Sequence, residues 1–342
     1  MKLLDMFRFE NTAKSKVSLG AIAAIVVILM SLPAWGGNYA ISMVTLMGVY
    51  ITIGLMWNLL AGYSGLVSLG LQMYIGVGAF TLAVFTTKFG MPLILGLLMG
   101  GIVSTIISVG LSYLLLRMKG MYFAIATWMF AEAMRLLIVQ FEFFGRGQGL
   151  FLQSATRELT DAHKYYLSVV MLLIVVVVVV LLLRSKLGLG LFSIRDNDVA
   201  AQTSGVPLFK SKLAVMMLTG FVTGICGGVY FIWFGWVQPN SAFSLPTWTV
   251  AAVFIVVIGG IGTITGPIVG GVIYVFLSQY LASLTQIGPL SMVILGAIAV
   301  TVILVAPKGI VGSLQLRFGF EIISARRWMK KYVDRLPDPV TE

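Results

Sequence analysis

Apolar residues run in ten long stretches along the chain, parted by short polar or glycine-rich breaks. A helix needs about 20 mostly apolar residues to cross a hydrocarbon layer. The pattern predicts crossings at 17–33, 38–60, 66–87, 92–116, 121–141, 165–183, 213–236, 248–258, 268–284 and 290–306. The eighth is too short for a complete crossing. It runs into Gly259-Gly260-Ile261-Gly262-Thr263-Ile264-Thr265-Gly266-Pro267, which breaks a helix inside or near the membrane. The expected fold is therefore an all-α integral membrane protein of about ten transmembrane helices, some broken. Residues 1–16 form a lead-in, 17–306 the membrane domain and 307–342 a polar tail.

Composition agrees with this reading. Of 342 residues, 59% are hydrophobic and 10% charged, where a soluble domain carries about 25% charged residues. That excludes a soluble enzyme, a disordered chain and a nucleic-acid binder. The formal charge of +11 is a matter of placement. With a cytoplasmic N-terminus, the inside segments hold 18 of the 23 Lys and Arg and the outside segments 4, with Arg135 inside a span. This asymmetry predicts both termini in the cytoplasm. Trp35, Tyr39, Tyr165, Tyr166, Trp236 and Trp248 fall at predicted outer ends, where an aromatic belt is expected. The N-terminus mixes Asp5 and Glu10 with its cations and is not expected to be a cleaved signal. The tail cluster Arg326, Arg327, Lys330 and Lys331 suits a helix drawn to anionic lipid.

The chain lacks the usual catalytic parts. Cys226 and His163 are each single, so no intrachain disulfide, thiol-ligated cluster or multi-histidine metal site is expected. No Gly-Lys dipeptide occurs, so there is no nucleotide-binding P-loop. Glu132 is the one clear acidic residue within a span, which disfavours ion-coupled transport. A passive channel or the membrane half of a larger machine remains. Glu132 and Arg135 lie three apart on one helix face. The pattern predicts a buried ion pair, a contact with a partner, or a substrate site.

The segment 184–212 carries its own start and stop signals. Asp196 is expected to cap a two-turn helix at 197–204, with Asp198 favourable in its first turn. Gly205 suits the left-handed position after it, and Pro207 prevents resumption. So short a helix is unstable alone. It must dock on this chain's own helix ends or on a cytoplasmic partner.

Here the sequence resembles a known family. Ala200-Ala201-x-x-x-Gly205 is similar to the coupling loop of ABC importer permeases, with Val199 in place of the usual Glu and no downstream Ile-x-Leu-Pro. That departure, with Ile194-Arg195-Asp196-Asn197-Asp198 before it, resembles the branched-chain amino acid permease family. So do Gly62-Tyr63-Ser64-Gly65-Leu66-Val67-Ser68-Leu69-Gly70, then Gly76-Val77-Gly78-Ala79. Arg117-x-x-Gly120-x-Tyr122-Phe123-Ala124, with Glu132 and Arg135, resembles the LivM-like half, and Gly259–Pro267 resembles the family's second glycine run. Gln72 stands where the family often has His. The likeness covers 58–308.

The resemblance implies a permease subunit rather than an enzyme, in a bacterial inner membrane. It implies a second permease subunit, two cytoplasmic ABC ATPases and a periplasmic or lipid-anchored binding protein that delivers leucine, isoleucine or valine. ATP and Mg would bind the ATPases, and no cofactor would bind this chain. Arg195, Asp196, Asn197, Asp198, Ala200, Ala201 and Gly205 would couple it to the ATPases. Gly62, Tyr63, Ser64, Gly65, Gln72, Gly259, Gly260, Gly262 and Thr263 would lie on the translocation path, where broken helices expose backbone groups to a zwitterion; those glycines equally suit close helix crossing. The outside loop 142–164 would receive the binding protein. The alternatives are the same machine carrying urea, amides or a monosaccharide, and a self-sufficient channel.

Overall fold

The computed structural model describes residues 13–152, 156–157, 159–284, 288–306 and 309–318. Residues 1–12 of the lead-in and the tail cluster Arg326, Arg327, Lys330 and Lys331 lie outside them. Each predicted crossing has its helix: α1 (Ala13–Trp35), α2 (Asn38–Asn58), α3 (Leu71–Thr87), α4 (Leu93–Leu115), α5 (Met121–Gln140) and α6 (Asp161–Arg184) in the first part. Two short helices follow, α7 (Lys186–Asp196) and α8 (Asp198–Thr203). Then come α9 (Leu208–Phe234), α10 (Pro239–Ala242), α11 (Ala251–Gly259), α12 (Thr265–Leu284), α13 (Gly288–Val305) and α14 (Gly309–Phe318). Seven segments among the described residues are long and apolar enough to cross a membrane, and α3 is a shorter apolar helix. The fold is an all-α membrane protein. Among the described residues one small sheet pairs β1 (Leu150–Phe151) with β2 (Trp236–Val237), antiparallel.

Helix ends sort into two groups. At one end, Lys88 Nζ donates to Phe143 O at 2.6 Å, and Trp236 Nε1 donates to Gln148 O at 3.0 Å. At the other, Arg195 on α7 reaches the end of α2. The connections predicted to lie outside thus meet one another, as do those predicted to lie inside.

The core is built on α2, α3 and α9, whose facing sides are small. A Cβ placed on Gly78 of α3 would sit 2.0 Å from the Gly224 carbonyl oxygen of α9, so only glycine allows this approach. Hydroxyls of α4 bond both of these helices. Ser104 Oγ donates to Tyr74 O at 3.2 Å, and Ser108 Oγ donates to Met216 O at 2.7 Å. Such bonds satisfy polar groups that lipid cannot.

Several expectations are corrected. The third crossing begins at Leu71, not 66, because residues 65–70 are irregular, with Gly65 at φ +70° and Trp57 Nε1 holding Ser68 O at 2.9 Å. The eighth is longer than the sequence suggested. Polar α10 and a π-helical turn at Pro246–Val250 extend α11 backwards, so the segment from Pro239 to Gly259 is of crossing length. Tyr165 and Trp248 do not join an outer belt. Both are fully buried: Tyr165 Oη donates to Leu29 O at 2.6 Å, and Trp248 Nε1 donates to Ser241 O at 2.8 Å. Trp35 and Tyr39 remain exposed, as a belt requires.

Candidate functional site

The segment 184–212 is two helices, not one. Ser185 Oγ accepts from Leu187 N and Gly188 N at 3.2 and 3.4 Å and so starts α7. Leu191 and Ile194 bury one face of α7. Asp196 does not cap the next helix. It is the last residue of α7, and its Oδ1 accepts from Arg195 Nη2 at 3.3 Å. The cap is Asn197, whose backbone is extended and whose Oδ1 accepts from Val199 N at 2.9 Å and Ala200 N at 3.1 Å. Asp198 opens α8 and takes Lys212 Nζ on both carboxylate oxygens at 2.9 Å, tying α8 to the first turn of α9. Gly205 closes it at φ +83°, and Val206 N donates back to Ala201 O at 3.0 Å.

α8 has two unlike faces. Ala201 is 2% exposed and sits against this chain, whereas Val199 is 66% exposed and Ala200 is exposed beside it. One face is seated on the chain's own helices and the other is bare. Asn197→Ala should therefore cost α8 about 1 kcal/mol. Faster amide hydrogen exchange across 198–203 would report it, and Asp196→Ala should leave that exchange nearly unchanged.

Immediately above α7, the two glycine-rich breaks meet. α2 ends in a π-helical turn, Leu59–Tyr63, a distortion common at functional sites. The side chain of Asn58, 1% exposed, spans the junction. Its Nδ2 donates to Thr263 O at 2.8 Å, and its Oδ1 accepts from Gly262 N at 2.8 Å. Arg195 Nη1 donates to Gly62 O at 3.1 Å. A Cβ on Gly62 would fall 2.7 Å from Gly262 N, and one on Gly262 would fall 3.0 Å from Arg195 Nη1. The glycines thus let two loops and a guanidinium share one small volume. Tyr63 lies there too, its ring edge-on to Phe192 of α7 at 5.4 Å, and its buried hydroxyl has no hydrogen-bond partner among the described residues. Ser64 Oγ donates to Leu60 O at 2.7 Å, and Thr263 Oγ1 bridges Gly260 O and Gly266 N at the entry to α12. Gly65, Gly259 and Gly260 complete the two loops.

Gln72 is not hydrogen-bonded to this junction. Its Nε2 donates to Leu69 O at 3.1 Å, and its Oε1 accepts from Thr249 of the π-helical turn before α11. Glu132 and Arg135 pair as their spacing predicts, with Arg135 Nε 2.9 Å from Glu132 Oε1 and its Nη1 donating to Asn240 of α10 at 2.9 Å. The pair is not buried within this chain: the side chains are 25% (Arg135) and 43% (Glu132) exposed. It lies on α5, whose Trp128, Met129 and Phe130 are also exposed. Among the described residues no group of three His, Cys, Asp or Glu is placed to hold a metal ion. Sequence reasoning missed Asn58, Phe192, Lys212 and Asn240. Asn58 carried one signal, an amide in an otherwise apolar run just ahead of a glycine break.

Residues 39–303 match the family model described as the branched-chain amino acid transport system permease component. The chain belongs to the branched-chain amino acid permease family. It is 26% identical over 330 residues to the high-affinity branched-chain amino acid transport system permease protein LivM of Salmonella typhimurium, covering 88% of this chain and 76% of that protein. The LivM protein of Escherichia coli is likewise 26% identical over the same share of each chain. No solved structure matches. This permease is thus a transport component with several membrane-crossing helices.

Proposed function

We propose that this permease is one membrane subunit of a binding-protein-dependent importer for leucine, isoleucine and valine. It pairs with a second permease, and two cytoplasmic ABC ATPases drive it through α8. A periplasmic or lipid-anchored protein delivers the substrate to the opposite face, where the loop 142–164 lies. The observation that carries this reading is the bare face of α8. A six-residue helix has too few internal bonds to persist unaided. Here its cap, its Lys212 ion pair and buried Ala201 fix it rigidly to the membrane helices, while Val199 and Ala200 present small apolar surface outward. That is what a lever between a membrane domain and a motor needs. The family relationship supports the substrate class, through what the relatives are named for.

The 18-to-4 cation distribution supports a cytoplasmic position for α7, α8 and both termini. In a Cys226→Ala background, Thr203→Cys should resist an impermeant maleimide in whole cells, and Arg146→Cys, exposed at the other end, should react. Labelling of Thr203→Cys from outside would invert the orientation. The test of the machine is ATP hydrolysis by the purified complex with its co-encoded partners. Hydrolysis should rise when leucine-loaded binding protein is added. No co-purifying ATPase, or hydrolysis indifferent to the loaded protein, would end the importer reading.

A further inference from the structure

We propose that Asn58 and Arg195 form a gate at the α7 end of the permease, closed in this structure and released through α7; this rests on the importer reading. Two broken helices, α2 and α11, end in loops that touch, and each bond closing the junction comes from one of these two side chains. Asn58 uses both ends of its amide, as donor to Thr263 O and as acceptor from Gly262 N. Arg195 holds Gly62 O from below. Gly262 N and Thr263 O belong to irregular backbone between helices, and Gly62 O sits in the last π-helical turn of its segment, so partners for all three come from elsewhere. When the loops part, all three are freed together with the Tyr63 hydroxyl, which is already buried without a partner. The exposed set holds one N–H donor, two carbonyl acceptors and a hydroxyl. Those are the groups needed to pass a substrate bearing both an ammonium and a carboxylate.

Arg195 makes this junction answerable to the cytoplasm. It is the penultimate residue of α7, and Asn197, two residues on, caps α8. A shift of α8 that rotates α7 draws the guanidinium away from Gly62 O and toward Asp196, which it already contacts. In this structure the guanidinium holds Gly62 O and Asp196 Oδ1 together; a motor that moves α8 releases the first contact and leaves the second.

The experiment uses the whole complex in liposomes loaded with radiolabelled leucine and a trapped dye, without ATP. Asn58→Ala and Arg195→Ala should each raise leucine efflux about tenfold over wild type, the population shift expected when a closed state loses its holding bonds. The larger dye should stay inside, which separates an open gate from a damaged bilayer. Arg195→Lys, which keeps a donor of similar reach, should leak near the wild-type rate. If Asn58→Ala fails to accumulate, Arg195→Ala decides, since its side chain is half-exposed and its loss leaves no cavity. Leucine-tight Arg195→Ala liposomes, in a complex whose wild type shows ATP-driven uptake, overturn the gate. A wild type without ATP-driven uptake refutes the importer reading instead.

Discussion

Ala200→Trp is expected to abolish the stimulation of ATP hydrolysis by loaded binding protein while the permease still accumulates in the membrane. Ala200 lies on the bare face of α8, beside Val199 and away from this chain's own helices. An indole there would stand on the exposed face of α8 and clash with a partner seated on it. Overpacking a fitted contact costs about 3 kcal/mol, roughly a hundredfold in docking affinity. Ala201→Trp behaves differently. Ala201 is 2% exposed against its own chain, so the larger side chain lifts α8 from its seat and the amount of permease falls as well. Stimulated hydrolysis paired with an immunoblot of the membrane fraction separates the two. Full stimulation in Ala200→Trp would mean that α8 is only a connector.

Gly78→Ala is expected to have the largest effect on stability. The added carbon would lie 2.0 Å from the Gly224 carbonyl oxygen, and neither partner is a side chain that can turn aside. α3 and α9 must separate, which also disturbs α4, whose Ser104 and Ser108 bond α3 and α9 respectively. The cost is about 3 kcal/mol, read as a lower thermal midpoint of the purified protein in detergent. Gly110→Ala in α4 is the control. A Cβ there meets nothing within 4 Å, and alanine favours a helix over glycine by about 1 kcal/mol, so its midpoint should hold or rise. Equal midpoints for Gly78→Ala and wild type would show that the seam is looser than the structure has it.

The helices were readable because a membrane span is long and uniformly apolar; each of the ten stretches holds a helix, and seven segments among the described residues reach crossing length. The breaks at 62–70 and 259–267 were readable from glycine alone. What escaped depends on pairing across the chain. α7 hides behind Gly188 and Gly190, which look like loop, and burial of Leu191 and Ile194 offsets their poor helix propensity. The cap of α8 was misplaced by one residue, because Asp196 and Asn197 are equally good caps and only the end of α7 decides between them. Tyr165 and Trp248 have the amphipathic rings that an interface favours, and those rings serve a core equally well once a carbonyl is in reach. Asn58 takes a partner 204 positions away, a backbone N–H with no side-chain signature. No local pattern announces such a bond.

On the importer reading, this permease moves branched-chain amino acids only when ATPases act on it. Leucine uptake into proteoliposomes that hold the permease, its partner permease and both ATPases, with binding protein outside and ATP inside, tests it most directly. Uptake should require ATP and every subunit, and excess isoleucine or valine should suppress it. Leucine entering liposomes that hold the permease without ATPases would make it a channel and contradict the account.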